Sequence, residues 1–176
     1  MSYVLCIWDP SRHPTYPTTD GEAFETMKRL SLVDDGWNPR FVDFANQLAA
    51  SHAADPQVNE AAGGPAAFWG FDLGRTAADC KSAVYRMPLA TDECIRHISY
   101  AVKAAADLGL IVFDDECGMC FLPDGTIFPD DMREIWEDDL AELKAGPPDP
   151  NDKTGDGRTF WERLGGELFN AIGSKR

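Results

Sequence analysis

Three stretches of this chain carry side chains able to do chemistry. Cys117-Gly118-Met119-Cys120 is a CxxC, a spacing that suits dithiol exchange or half of a zinc site. Asp114-Asp115-Glu116 stand directly before it, and adjoining carboxylates serve as general acids and bases or as metal ligands. Asp152-x-Thr154-x-Asp156-Gly157 has the opening spacing of a calcium loop. His13, His52 and His97 supply the imidazoles.

Each falls short of that chemistry. A redox CxxC needs a thiol at a helix N-terminus, where the dipole lowers its pKa. Here the apolar runs Leu110–Phe113 and Met119–Leu122 put the motif across the turn of a hairpin. Zinc needs two further ligands at suitable spacing, and there is no second CxxC or HxxxH to go with Cys6, Cys80 and Cys94. The twelfth calcium position should be a bidentate Glu; it is Arg163, with Glu162 one place early. Asp114, Asp115 and Glu116 have no base, nucleophile or oxyanion donor close in sequence, so plain solvation in a tight turn competes with catalysis. His52 continues the apolar stripe of one helix and His97 borders that of another, which places both at the edge of a core. GxSxG, GxxxxGK[ST] and GxGxxG do not occur. No catalytic residue, metal or cofactor is assigned on these grounds.

The elements that position these residues are mostly readable. Tyr3–Trp8 is an apolar first strand closed by Asp9-Pro10. Thr19 and Glu22 form a capping box for a helix whose stripe is Ala23, Phe24, Met27 and Leu30. Asn38 caps a second helix, with Pro39 in the first helical position, a stripe of Phe41, Phe44, Ala45 and Leu48, and an end before Asp55-Pro56. Residues 57–81 are less legible, with Ala66–Phe71 readable as strand or as an aromatic loop. Ser82–Met87 reads as a strand stopped by Pro88. Thr91 opens the strongest helix, which carries Cys94, Ile95, Ile98, Ala101, Val102, Ala105 and Leu108 on one face and ends at Gly109. Leu110–Phe113 and Met119–Leu122 are hairpin strands, and Thr126–Phe128 adds a short one. Asp130–Lys144 is an amphipathic helix, followed by a linker over Gly146–Gly157 and a last helix marked by Phe160, Trp161, Leu164, Leu168 and Ile172.

This order predicts an α+β core over residues 1–128 and an acidic helical extension over 129–176. The expected core is a largely antiparallel sheet with helices on one face and a ferredoxin-like, split β-α-β topology. It would place the first strand beside the one at Leu110.

Charge bounds the function. Thirty Asp and Glu oppose sixteen Lys and Arg, a net charge of −14. A field of that sign repels nucleic acid and anionic membrane and attracts cationic surfaces. The start of the chain lacks a secretory signal pattern and no apolar run reaches spanning length. The cysteines are odd in number and mostly sit in apolar patterns, so a reducing cytoplasm is expected. The acidic residues suited to a partner are Asp114, Asp115 and Glu116 on the hairpin, with Asp131, Glu134, Glu137, Asp138 and Glu142 on the helix. Trp136 and the Phe68-Trp69 loop are the candidate aromatic anchors.

Three segments together resemble a known group. They are Tyr3-Val-Leu-Cys-Ile-Trp-Asp-Pro10, Asn38-Pro39-Arg40-Phe41, and Leu108-Gly-Leu-Ile-Val-Phe-Asp-Asp-Glu-Cys-Gly-Met-Cys-Phe-Leu-Pro-Asp-Gly125. The group is that of small acidic bacterial immunity-type proteins encoded beside polymorphic toxins. The resemblance covers residues 1–128 and its motifs are structural. It implies an inhibitor that occludes a basic toxin domain. Two other readings remain open: a metal-binding or hydrolytic enzyme built on the Asp114–Cys120 hairpin, and a non-inhibitory adaptor or self-associating protein.

Overall fold

The computed structural model describes residues 3–54, 69–89 and 94–145. The chain divides into two compact units, Met1–Trp136 and Glu137–Arg176. Five helices and a five-stranded antiparallel sheet follow in the order β1 (Tyr3–Trp8), α1 (Asp20–Leu30), α2 (Pro39–Ala54), α3 (Leu73–Asp79), β2 (Val84–Leu89), α4 (Cys94–Asp107), β3 (Ile111–Asp114), β4 (Met119–Phe121), β5 (Ile127–Phe128) and α5 (Met132–Ala145), all among the described residues. The α+β class holds.

The strand order is β2-β1-β3-β4-β5. β1 pairs antiparallel with both β2 and β3, so those two run parallel to each other with β1 between them. Joined through α4, they make one split β-α-β unit, and the first strand lies beside β3 as expected. A ferredoxin-like sheet needs a second interlocked unit. Here β3, β4 and β5 continue as a plain antiparallel meander, so that finer topology is corrected.

The helices also do not share one face. Register puts Cys6, Trp8, Val84, Ile111, Phe113 and Cys120 on the same side, where Ala23, Met27 and Leu30 of α1 complete the core. Leu5, Ile7, Tyr85, Met87 and Val112 point the other way. There Tyr85 stacks on Phe41 and meets the edge of Phe44 of α2, at centroid distances of 5.8 and 6.3 Å. Every residue of β3 is buried, and all of β1 except Val4. Strands apolar at successive positions need cover on both sides, and that pattern contradicts a one-faced sheet.

Local chemistry explains the element ends. Thr19 Oγ1 accepts from the Glu22 N–H (3.1 Å), and Glu22 reaches back to the Thr18 N–H (2.8 Å) and hydroxyl (2.7 Å). Asn38 Oδ1 accepts from the Arg40 N–H at 3.0 Å and caps α2. Gly109, at φ +64°, ends α4 with bonds from its own N–H to Ala106 and from the Leu110 N–H to Ala105. One sequence expectation fails here: Pro88 does not stop β2 but lies within it opposite Val4, which an outermost strand tolerates. Of the two readings of Ala66–Phe71, the described residues 69–71 show no strand, and Asp72 caps the short α3 by accepting from the Arg75 N–H at 3.0 Å. The linker and the last expected helix lie outside the described residues.

Candidate functional site

The hairpin was the first candidate, and its carboxylates part company. Asp114 ends β3 at 1% exposure. It accepts from the Tyr3 hydroxyl and from the N–H groups of Glu116 (3.0 Å) and Cys117 (3.1 Å). Burial raises its pKa, opposed by those hydrogen bonds. Burial, then the Asp114 charge, raises that of Tyr3. Asp114 is therefore an internal brace for the turn, and its assignment to a partner surface is corrected. Asp115 and Glu116 are exposed, and Asp115 pairs with Arg86 of β2 at 3.7 Å.

The CxxC thiols are not activated. Cys117 lies 3.6 Å from the Tyr3 hydroxyl; burial and then the Asp114 charge push it up to about 12. Burial alone pushes Cys120 up to about 12. Such thiols stay protonated at neutral pH, the reverse of what a nucleophile requires. Among the described residues, no group of three or more His, Cys, Asp or Glu is placed to hold a metal ion. His97 goes deeper than the core edge, 2% exposed and edge-on to Trp69 at 4.8 Å. The side chains of His52 and Cys94, and the whole stretch from Asp152 to Asp156, lie outside the described residues.

Asp131 falls just before α5, and the expected acidic side chains there and on the helix divide by unit. Asp131 and Glu134 are exposed in the first, Glu137 and Asp138 are exposed in the second, and the Glu142 side chain lies outside the described residues. Both proposed aromatic anchors are corrected. Trp69 is 1% and Trp136 5% exposed, the latter packed edge-on against Phe121 at 5.0 Å. Neither is open to a partner; apolar bulk went to the core, as it does by default.

Sequence reasoning missed a dense polar cluster at the end of β1. Asp9, just past β1, is 1% exposed. Its Oδ1 accepts from Arg40 Nη1 (2.8 Å), Ser11 Oγ (2.6 Å) and the Ser11 N–H (2.9 Å), and its Oδ2 from Asn38 Nδ2 (3.2 Å). The other Arg40 amino group donates to the carbonyl of Leu108. Burial raises the Asp9 pKa, but the bonds from Ser11 and Asn38 and the Arg40 charge outweigh it, so the net direction is down. The available signal was the pair of segments Asp9-Pro10 and Asn38-Pro39-Arg40, which look like simple helix and turn chemistry when read singly. Asp9 accepts four hydrogen bonds, three on Oδ1 and one on Oδ2, which suits a structural tie better than a reacting group.

Sequence also missed the exposed apolar side chains, Tyr16, Phe24, Leu32 and Trp37. No described helix is long and apolar enough to cross a membrane. In comparison with known proteins the chain matches no family model, no curated protein and no solved structure, so its function has to be argued from the geometry above.

Proposed function

We propose that this chain is an acidic binding protein of the cytoplasm, an immunity-type inhibitor that occludes a basic toxin domain. One observation carries the reading: in a chain of net charge −14, Asp115, Glu116, Asp131, Glu134, Glu137 and Asp138 are all exposed among the described residues, whereas Asp9 and Asp114 are buried and committed to internal hydrogen bonds. Exposed carboxylates in excess speed encounter with a cationic protein and disfavour anionic partners such as nucleic acid. The alternative of hydrolytic chemistry at the hairpin is weakened by the protonated thiols and by the internal hydrogen bonds of Asp114, and that of metal binding by the lack, among the described residues, of three ligating side chains placed together.

The test uses the product of the reading frame directly upstream of this gene. Calorimetric titration at low and high salt, with growth of cells expressing that product alone and with this chain, is expected to give salt-sensitive binding and rescued growth. No association at low salt, or association without rescue, overturns the proposal.

A further inference from the structure

Tyr16, Leu32 and Trp37 are 60%, 87% and 58% exposed. They come from the loop after β1 and from the segment between α1 and α2, and two arginines bind these pieces together. Arg12 donates to the carbonyls of Trp37 (3.2 Å) and Asp35 (3.1 Å) and pairs with the Asp35 carboxylate at 3.1 Å. Arg29, in the last turn of α1, donates to Thr15 Oγ1 at 3.4 Å. Between that loop and α1 runs an open groove of about 450 Å³, lined by Tyr16, Pro17, Glu22, Glu25, Thr26 and Arg29 together with Thr15. The segment carrying Leu32 and Trp37 is held at the Trp8 end of the sheet, where Val33 and Asp35 bond to Ala83 and Lys81 just before Val84, whereas the acidic hairpin turns at the other end, where Leu5 pairs with Asp114.

We propose that this face is the docking surface for a cationic protein. Leu32 and Trp37 make the apolar contact, and the groove takes one Arg or Lys side chain, its stem on Tyr16 and Pro17 and its charge toward Glu25. The inference rests on the reading as an anionic binding protein and adds where on the chain the partner sits. Charge selects the occupant: a second copy brings another 14 negative charges to the contact, whereas a cationic surface enters a favourable field. The groove selects the side chain. An open tyrosine ring attracts ammonium and guanidinium groups, and long basic side chains lay their methylenes on apolar walls. Glu22 and Glu25 outnumber the single Arg29 in the groove lining; Glu22 is oriented by its bonds from Thr18, which leaves Glu25 the freer of the two carboxylates to turn toward an incoming cation. Trp is favoured as an anchor because it covers much area with little conformational freedom to lose.

The experiment follows the amide and indole resonances of the full ¹⁵N-labelled chain at low salt while acetyl-Arg-Leu-Arg-Leu-Arg-amide is added, with the glutamate counterpart as control. Expected are shifts at Tyr16, Glu25, Leu32 and Trp37, and an affinity loss of about fivefold or more in the Leu32→Ser, Trp37→Ser double variant. Both positions are solvent-facing, so an otherwise unchanged spectrum certifies the fold of that variant. Shifts confined to residues 115–116 and 130–138 overturn the location and leave the anionic-binding reading standing. No binding of the arginine peptide, or equal binding of the glutamate peptide, overturns both. Two further results give the face to another occupant and overturn the inference. One is a dimer in sedimentation that the double variant abolishes. The other is nuclear Overhauser contacts in the free protein between the Trp37 indole and residues 159–172.

Discussion

Asp9 and Asp114 are both buried aspartates at strand ends, yet they respond to pH in opposite senses. The Asp9 pKa is lowered, so its stabilisation is present above the ordinary carboxylate range and is lost as pH falls through its depressed folded value. The Asp114 pKa is raised, so its contribution is fully present below that range and is lost as pH rises through the elevated folded value. Urea titrations from acid to neutral pH check the pair. Asp114→Asn should flatten the part of the profile in which the wild type weakens with rising pH, and Asp9→Asn should remove the acid-side loss. At neutral pH, Asp9→Ala leaves Arg40, Asn38 and Ser11 without their shared acceptor. Arg40 is 34% exposed and can turn to water, so the cost is that of the lost hydrogen bonds, about 2 kcal/mol, and the urea midpoint should fall accordingly. If Asp9→Ala unfolds at the wild-type midpoint, the cluster is not a structural tie.

At the scale of elements, the caps make separate and smaller contributions. Thr19→Ala removes the acceptor for the Glu22 N–H and should cost about 1 kcal/mol. Gly109→Ala should cost roughly 1–2 kcal/mol, because an alanine is strained at φ +64° and its Cβ would come 3.3 Å from Arg40 Nη2. Thermal melts of the two variants, compared with the sum of their effects in the double variant, test whether the sites are independent. These caps were legible in the sequence because a cap is local: Thr19 with Glu22, Asn38 with Pro39, and Gly109 each signal within a few residues. The hairpin was legible for the same reason. By contrast, α3 has a short, alanine-rich pattern with no periodic stripe, and only Asp72 announces it. Pro88 misled because a proline reports a missing donor, and whether that matters depends on which edge of the sheet the strand occupies.

The whole molecule sets the fate of the large side chains, and there sequence reading ran out. Trp69 and Trp136 looked like anchors, Trp37 and Leu32 attracted no notice, and the fold reversed both. Nothing within a few residues of a tryptophan says whether a helix will close over it; that depends on partners such as His97 and Phe121, which are distant in sequence. The same holds for Asp9, whose partners come from two other parts of the chain. Net charge, in contrast, is a sum that needs no fold, and it yields a prediction at this scale. The association rate with a cationic partner should fall steeply with added salt, by about tenfold or more between dilute and physiological buffer, while dissociation changes little. Stopped-flow measurement of both rate constants checks it, and a salt-independent association rate would remove electrostatic steering as the mode of encounter.

β1 is synthesised before either of its partners, and it occupies an interior place in the sheet, between Val84–Leu89 and Ile111–Asp114. During synthesis, Tyr3–Trp8 therefore waits with both backbone edges open while the next seventy-five residues emerge. An apolar ribbon held open in this way invites adhesion to other nascent chains. The helices that form in the interval, and the mutual repulsion of anionic chains, are the protection this order of elements provides. Ribosome-stalled chains ending before Val84 should accordingly recruit trigger-type chaperones more strongly than chains released past Phe121.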